Sequence, residues 1–117
     1  MKRGELYRVR RPTKTDPRRS RVVVIVSREA VLESRLSTVI CAPVYSSYHG
    51  LGSQVTVGIE EGLKHESSIH CDELISVEKQ VLTDYVGALT PTKLRAFNVA
   101  LLVAVGVLDE EIGTGPT

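Results

Sequence analysis

Three features of the chain predict a mainly β domain, a small and strongly curved antiparallel sheet or barrel with one helix packed against it. Five or six short runs of β-forming residues are separated by turn residues. No strand–helix–strand alternation appears, and one amphipathic stretch follows Thr90-Pro91 near the end of the chain. A chain of 117 residues buries roughly two-thirds of its unfolded surface in one core, so residues 1–108 are expected to form one domain needing neither metal nor disulfide.

The elements follow in order. Glu5-Leu-Tyr-Arg-Val-Arg10 alternates polar and apolar residues and reads as a half-buried first strand. Residues 11–20 hold two prolines and no large apolar side chain, so they form an exposed cationic loop. Val22 to Val26 is wholly β-branched, as in a strand buried on both faces, and Ser37 to Val44 resembles a second central strand with Pro43 at its end. Residues 45–53 form a polar loop containing Gly50 and Gly52 before an alternating strand, Gln54 to Ile59. Ile69 to Val77 reads as one more strand, and Asp84 to Gly87 as a short closing one. Thr90 caps a helix with Pro91 at its first position, and Leu94, Phe97, Leu101, Val105 and Leu108 recur along one face. Gly106 weakens the last turn, and the acidic tail 109–117 is expected to be disordered.

Charge is unevenly distributed. Residues 1–28 carry ten Lys or Arg against Glu5 and Asp16, a net +8, whereas the other 89 residues carry −7. Such a cationic segment, richer in Arg than in Lys, suits forked contacts to a phosphate backbone. The two cysteines and the lack of an apolar run behind the basic start point to a reducing cytoplasm, and the longest apolar run, Val99 to Val105, falls far short of the roughly 20 residues of a membrane helix. No membrane partner is expected.

Glycine-rich phosphate loops, Cys-x-x-Cys pairs, His-Glu-x-x-His and Gly-x-Ser-x-Gly are all absent, which removes the usual support for nucleotide hydrolysis, structural zinc and common hydrolase elbows. The densest polar segment is Ser67-Ser-Ile-His-Cys-Asp-Glu73. Strand alternation would put Ser68, His70 and Asp72 on one face and turn Ile69 and Cys71 to the other. An imidazole and a carboxylate two residues apart could face one reacting group as a proton-transfer pair, or be a His–Asp pair on a solvated face. The same alternation disfavours a metal site built from His65, His70, Cys71 and Asp72, so no metal or other cofactor is expected. Cys41, in an apolar strand, reads as core. Arg21, where the cationic loop enters the valine strand, is the best phosphate clamp. Arg11, Lys14, Arg18 and Arg19 would follow a nucleic-acid backbone, while Tyr45, Ser47, Tyr48 and His49 suit stacking and edge contacts to unpaired bases.

Taken in order, Lys2-Arg-Gly-Glu-Leu-Tyr-Arg8, Ser20-Arg-Val-Val-Val-Ile-Val-Ser27, Val39-Ile-Cys-Ala-Pro-Val-Tyr-Ser46 and Ile69-His-Cys-Asp-Glu-Leu-Ile-Ser-Val77 resemble the MazF/PemK (Kid) toxin family over residues 2–108. The resemblance implies an SH3-like barrel that forms a homodimer, cuts single-stranded RNA as an endoribonuclease and is neutralised by a cognate antitoxin. The family's catalytic Arg falls on Arg21, followed here by Val instead of Pro. Its Pro-Val-Thr-Ser block is Pro43-Val-Tyr-Ser46, so Tyr45 replaces the threonine that helps hold the scissile phosphate and Ser46 matches the next serine. The Arg-Cys-Asp-Gln segment that supplies acid and base matches His70-Cys71-Asp72-Glu73. By this resemblance Asp72 is the base, Arg21 offsets phosphoryl charge and His70 is the acid, with the Asp72 and His70 roles exchangeable. Two alternatives stand beside it. One is a CcdB-like toxin of the same fold that poisons gyrase, and the other is a catalytically inactive binding module.

Overall fold

The computed structural model describes residues 1–10, 14–16 and 19–109. Seven strands occur among these residues: β1 Glu5–Arg10, β2 Ser20–Ile25, β3 Thr38–Tyr45, β4 Gln54–Val57, β5 Ser67–His70, β6 Ile75–Glu78 and β7 Asp84–Ala88. A one-turn helix α1, Glu29–Leu32, links β2 to β3, and α2, Pro91–Ala104, follows β7. Three 3₁₀ turns cover Ile59–Glu61, Cys71–Glu73 and Lys79–Val81.

The pairing is antiparallel throughout and runs β4-β5-β3-β2-β1-β7. The first half of β3, residues 38–41, also pairs with β6, while Val44 and Tyr45 pair with β5. One strand thus belongs to both halves of a curled sheet. Pro43 lies inside β3 and not at its end as expected. It falls between the residues that meet β6 and those that meet β5, a gap in that ladder where a missing N–H is tolerated.

Alternation along β2 explains the valine run. Val24 enters a core with Leu6, Val44, Ile69 and Phe97, while Val23 and Ile25 enter a second core with Tyr7, Val9, Val39 and Val77. The first core is closed by α2 through Phe97 and Ala100. Thr90 caps this helix as expected, its Oγ1 accepting from the Lys93 N–H at 3.2 Å, with Pro91 at the first position.

The far end of α2 differs from expectation. Val105 is 63% exposed, because the helix stops at Ala104. Gly106, at φ 81°, lets its own N–H reach the Val103 carbonyl and the Val107 N–H reach that of Leu102, a Schellman closure. Gly106 therefore ends the helix instead of merely weakening it. The Gln54 run also stops early, at Val57, and turns into the 3₁₀ segment from Ile59. The tail beyond Asp109 lies outside the described residues.

The largest departure is Ile69 to Val77. The expected single strand is two, β5 and β6, broken by the Cys71–Glu73 turn. The Cys71 N–H donates to the Ser53 carbonyl at 3.0 Å and the Cys71 side chain is buried, so tertiary packing imposes the turn. Among the described residues no helix is long and apolar enough to cross a membrane.

Candidate active site

The β2–β3 register, Val23 opposite Pro43, continues to set Arg21 beside Tyr45. The Arg21 guanidinium carbon lies 4.9 Å from the Tyr45 ring centroid, a cation–π contact that fixes both side chains. Tyr45 pairs with Ser68 on β5, and His70 on the same strand pairs with Gln54 on β4. The His70 ring meets that of Tyr45 edge to face, with centroids 4.7 Å apart. Strand pairing thus gathers an arginine, a phenol and an imidazole from three separate sequence blocks.

The Cys71–Glu73 turn adds a carboxylate. Tyr45 Oη donates to Glu73 Oε1 at 3.1 Å, and Glu73 Oε2 lies 3.5 Å from His70 Nδ1. Burial and the bond to Glu73 push the Tyr45 phenol above its ordinary pKa, against the lowering fields of Arg21 and Arg19, so the hydroxyl stays protonated near neutrality.

The His70 imidazole is enclosed. Nε2 lies 2.9 Å from the Ser47 carbonyl, which only accepts, so this nitrogen carries hydrogen. Gln54 Oε1 accepts from the His49 N–H at 2.9 Å, which turns the Gln54 amide nitrogen toward His70 Nδ1 at 3.5 Å.

Strand alternation ends with β5 at His70, so it no longer sets Asp72 on the face of His70 as expected. The Asp72 carboxylate accepts from Ser53 Oγ at 2.5 Å. Ser68, expected beside them, is fully buried and its hydroxyl has no hydrogen-bond partner. Cys71 and Cys41 are core residues whose thiols burial pushes up to about 12, with Asp72 adding to the effect at Cys71. Neither is a nucleophile. Among the described residues no group of three His, Cys, Asp or Glu side chains converges to hold a metal ion.

Of the expected nucleic-acid contacts, Ser46, Ser47, Tyr48 and His49 are exposed in the loop after β3, and the His49 ring lies 6.1 Å from that of His70. Lys14 and Arg19 are exposed, and Arg19 is near enough to act on the Tyr45 phenol. Arg11 and Arg18 lie outside the described residues. The sequence did not single out Glu73, Gln54 or Ser53 as functional residues. The register of β4 against β5 could have pointed to Gln54, but nothing local marks Glu73 over Asp72.

A curled antiparallel sheet thus gathers an arginine, a phenol, an imidazole and a carboxylate at one place on a small domain. The family model for PemK-like, MazF-like toxins of type II toxin-antitoxin systems matches residues 2–105. The probable endoribonuclease MazF5 of Mycobacterium tuberculosis is 35% identical over 88 residues, covering 73% of this chain and 78% of that protein. Among solved structures, an endoribonuclease in complex with its cognate antitoxin from a mycobacterial species aligns with a TM-score of 0.78 at 23% identity, over 93% of this chain and 98% of that one. The M. tuberculosis toxin MazF-mt6 aligns with a TM-score of 0.74 at 27% identity, over 90% and 98%. The chain belongs to the PemK-like, MazF-like toxin family, a family of endoribonucleases.

Proposed function

We propose that this toxin cuts single-stranded RNA in the cytoplasm by a metal-independent transesterification. The 2′-hydroxyl attacks the adjacent phosphorus, leaving a 2′,3′-cyclic phosphate and a 5′-hydroxyl. Such a reaction needs a proton acceptor for the 2′-OH, a cation for charge growing on the phosphoryl oxygens, and a proton source for the leaving 5′-oxygen. The observation that carries the proposal is the Arg21–Tyr45–His70 cluster with carboxylates on the adjoining turn. Arg21 supplies the cation. Tyr45 and Ser46 offer hydroxyls to the phosphate, and proton transfer is drawn from His70 and the Asp72–Glu73 turn. Arg11, Lys14, Arg18 and Arg19 follow the backbone, and Ser47, Tyr48 and His49 contact the bases. DNA binds but, lacking the attacking hydroxyl, is not cut. The protein acts as a homodimer and is inhibited by an antitoxin occupying the RNA groove, a reading supported by the antitoxin complex among its structural neighbours.

The test incubates wild-type protein and an Arg21→Ala variant with a long single-stranded RNA in EDTA and maps the product ends. Discrete cuts carrying cyclic phosphate and 5′-hydroxyl ends, lost in the variant, are expected. Intact RNA with the wild type would move the assignment to a protein-targeting toxin of the same fold.

A further inference from the structure

The resemblance to the family points to Asp72, or with the roles exchanged His70, as the proton acceptor. The structure offers Glu73 instead. We infer that Glu73 is the general base of the cleavage reaction, held in place by Tyr45 and His70, and this rests on the ribonuclease reading above.

Accessibility comes first. The Glu73 side chain is 56% exposed, whereas that of His70 is 7% exposed. Both His70 nitrogens already face protein groups, Nε2 the Ser47 carbonyl and Nδ1 Gln54 and Glu73. An imidazole so enclosed cannot meet a ribose hydroxyl without leaving its partners. Glu73 has one oxygen on the Tyr45 hydroxyl and one toward His70, and its exposed carboxylate has acceptor capacity left for a further donor.

Orientation comes second. A base must be aimed as well as exposed. The Tyr45 ring is clamped by Arg21 on one side and its hydroxyl holds Glu73 on the other, so a single aromatic side chain fixes the spacing between phosphate cation and carboxylate. A phosphodiester seated on the Arg21 fork therefore lies beside the carboxylate that Tyr45 presents. Asp72 has no corresponding tie to Arg21, Tyr45 or His70, and its contact is Ser53.

The proton has somewhere to go. Glu73 takes the 2′-OH proton as the oxygen forms its bond to phosphorus, and the bond from phosphorus to the 5′-oxygen breaks. That oxygen draws a proton from water, and the hydroxide left behind is neutralised by the proton on Glu73. While it waits, the proton can be shared with His70 Nδ1, 3.5 Å from Glu73 Oε2, as an imidazolium–carboxylate pair. His70 thus acts through Glu73 as a positioning residue.

Glu73→Gln is the direct test, because glutamine keeps the shape and can still accept from Tyr45 while losing the proton-accepting charge. On a single-site RNA, kcat is expected to fall about 100-fold, the usual scale of general-base loss. KM and the affinity for an uncleavable 2′-deoxy analogue should stay within about threefold, and formate should restore part of the activity to Glu73→Ala. A Glu73→Gln enzyme that keeps its kcat while Asp72→Asn loses it would overturn the inference and leave the ribonuclease reading intact. Equal loss of kcat and of analogue binding would overturn it too, by making Glu73 a structural residue. Wild-type protein that cuts no RNA would instead defeat the reading on which the inference rests.

Discussion

Buried acids act on stability as well as on chemistry. Tyr7, Cys41 and Cys71 are all pushed up to about 12, mainly by burial, from 10.0 for the phenol and 9.0 for the thiols. The sign follows directly. Once the unfolded chain starts to lose these protons while the folded chain keeps them, the unfolded state binds fewer, and stability falls as pH rises. The contribution is complete below pH 9 and declines from there toward 12, so urea midpoints are expected to hold between pH 7 and 8.5 and to drop by pH 10.5. Over the neutral range the same thiols should resist iodoacetamide, with mass spectrometry showing alkylation only after denaturant is added. Arg21, Tyr45 and His70, which strand pairing brings together, each lie in a sequence block with a distinct pattern. The sequence did not show that Glu73 stands next to His70. Asp72 and Glu73 are adjacent, and which one faces His70 is decided by a turn whose cause, the Cys71 N–H bonded to Ser53, lies 18 positions away.

At the level of elements, local pattern sufficed wherever a segment's own alternation decided its state. β1, the valine strand β2 and the start of α2 were legible for that reason. β5 and β6 were not, because no glycine or proline marks the break between them. Two glycines show how much the neighbours matter. Gly62, at φ 93°, leads out of the first 3₁₀ turn, and a methyl group there would overlap the Val86 carbonyl oxygen. Gly106, at φ 81°, faces open space. Gly106→Ala should therefore cost about 1 kcal/mol, the left-handed backbone penalty alone. Gly62→Ala adds the overlap, and urea melts should show a loss of about 3 kcal/mol or more.

For the molecule as a whole, polarity of charge is the organising fact. The +8 segment includes Arg3, whose Nε donates to the Val26 carbonyl and whose guanidinium lies over Phe97, and Arg8, which faces Asp84, so these two serve the fold. Arg11, Lys14, Arg18, Arg19 and Arg21 are the cations assigned to RNA. Five phosphate contacts give an expected slope of about −3.5 in log affinity against log salt for a single strand. Binding titrations of a 2′-deoxy oligonucleotide from 50 to 300 mM salt check it, and a slope near −1 would remove the loop from the interface.

β3 is paired with β2 along one edge and with β6 and then β5 along the other. It supplies Val39 and Cys41 to one core, Ala42 and Val44 to the other, and Tyr45 to the site. Opening either half of the molecule would therefore disturb the strand that holds the other. A partner that silences the toxin by covering its site would then leave this shared strand in place, and release of the partner is expected to restore activity without refolding.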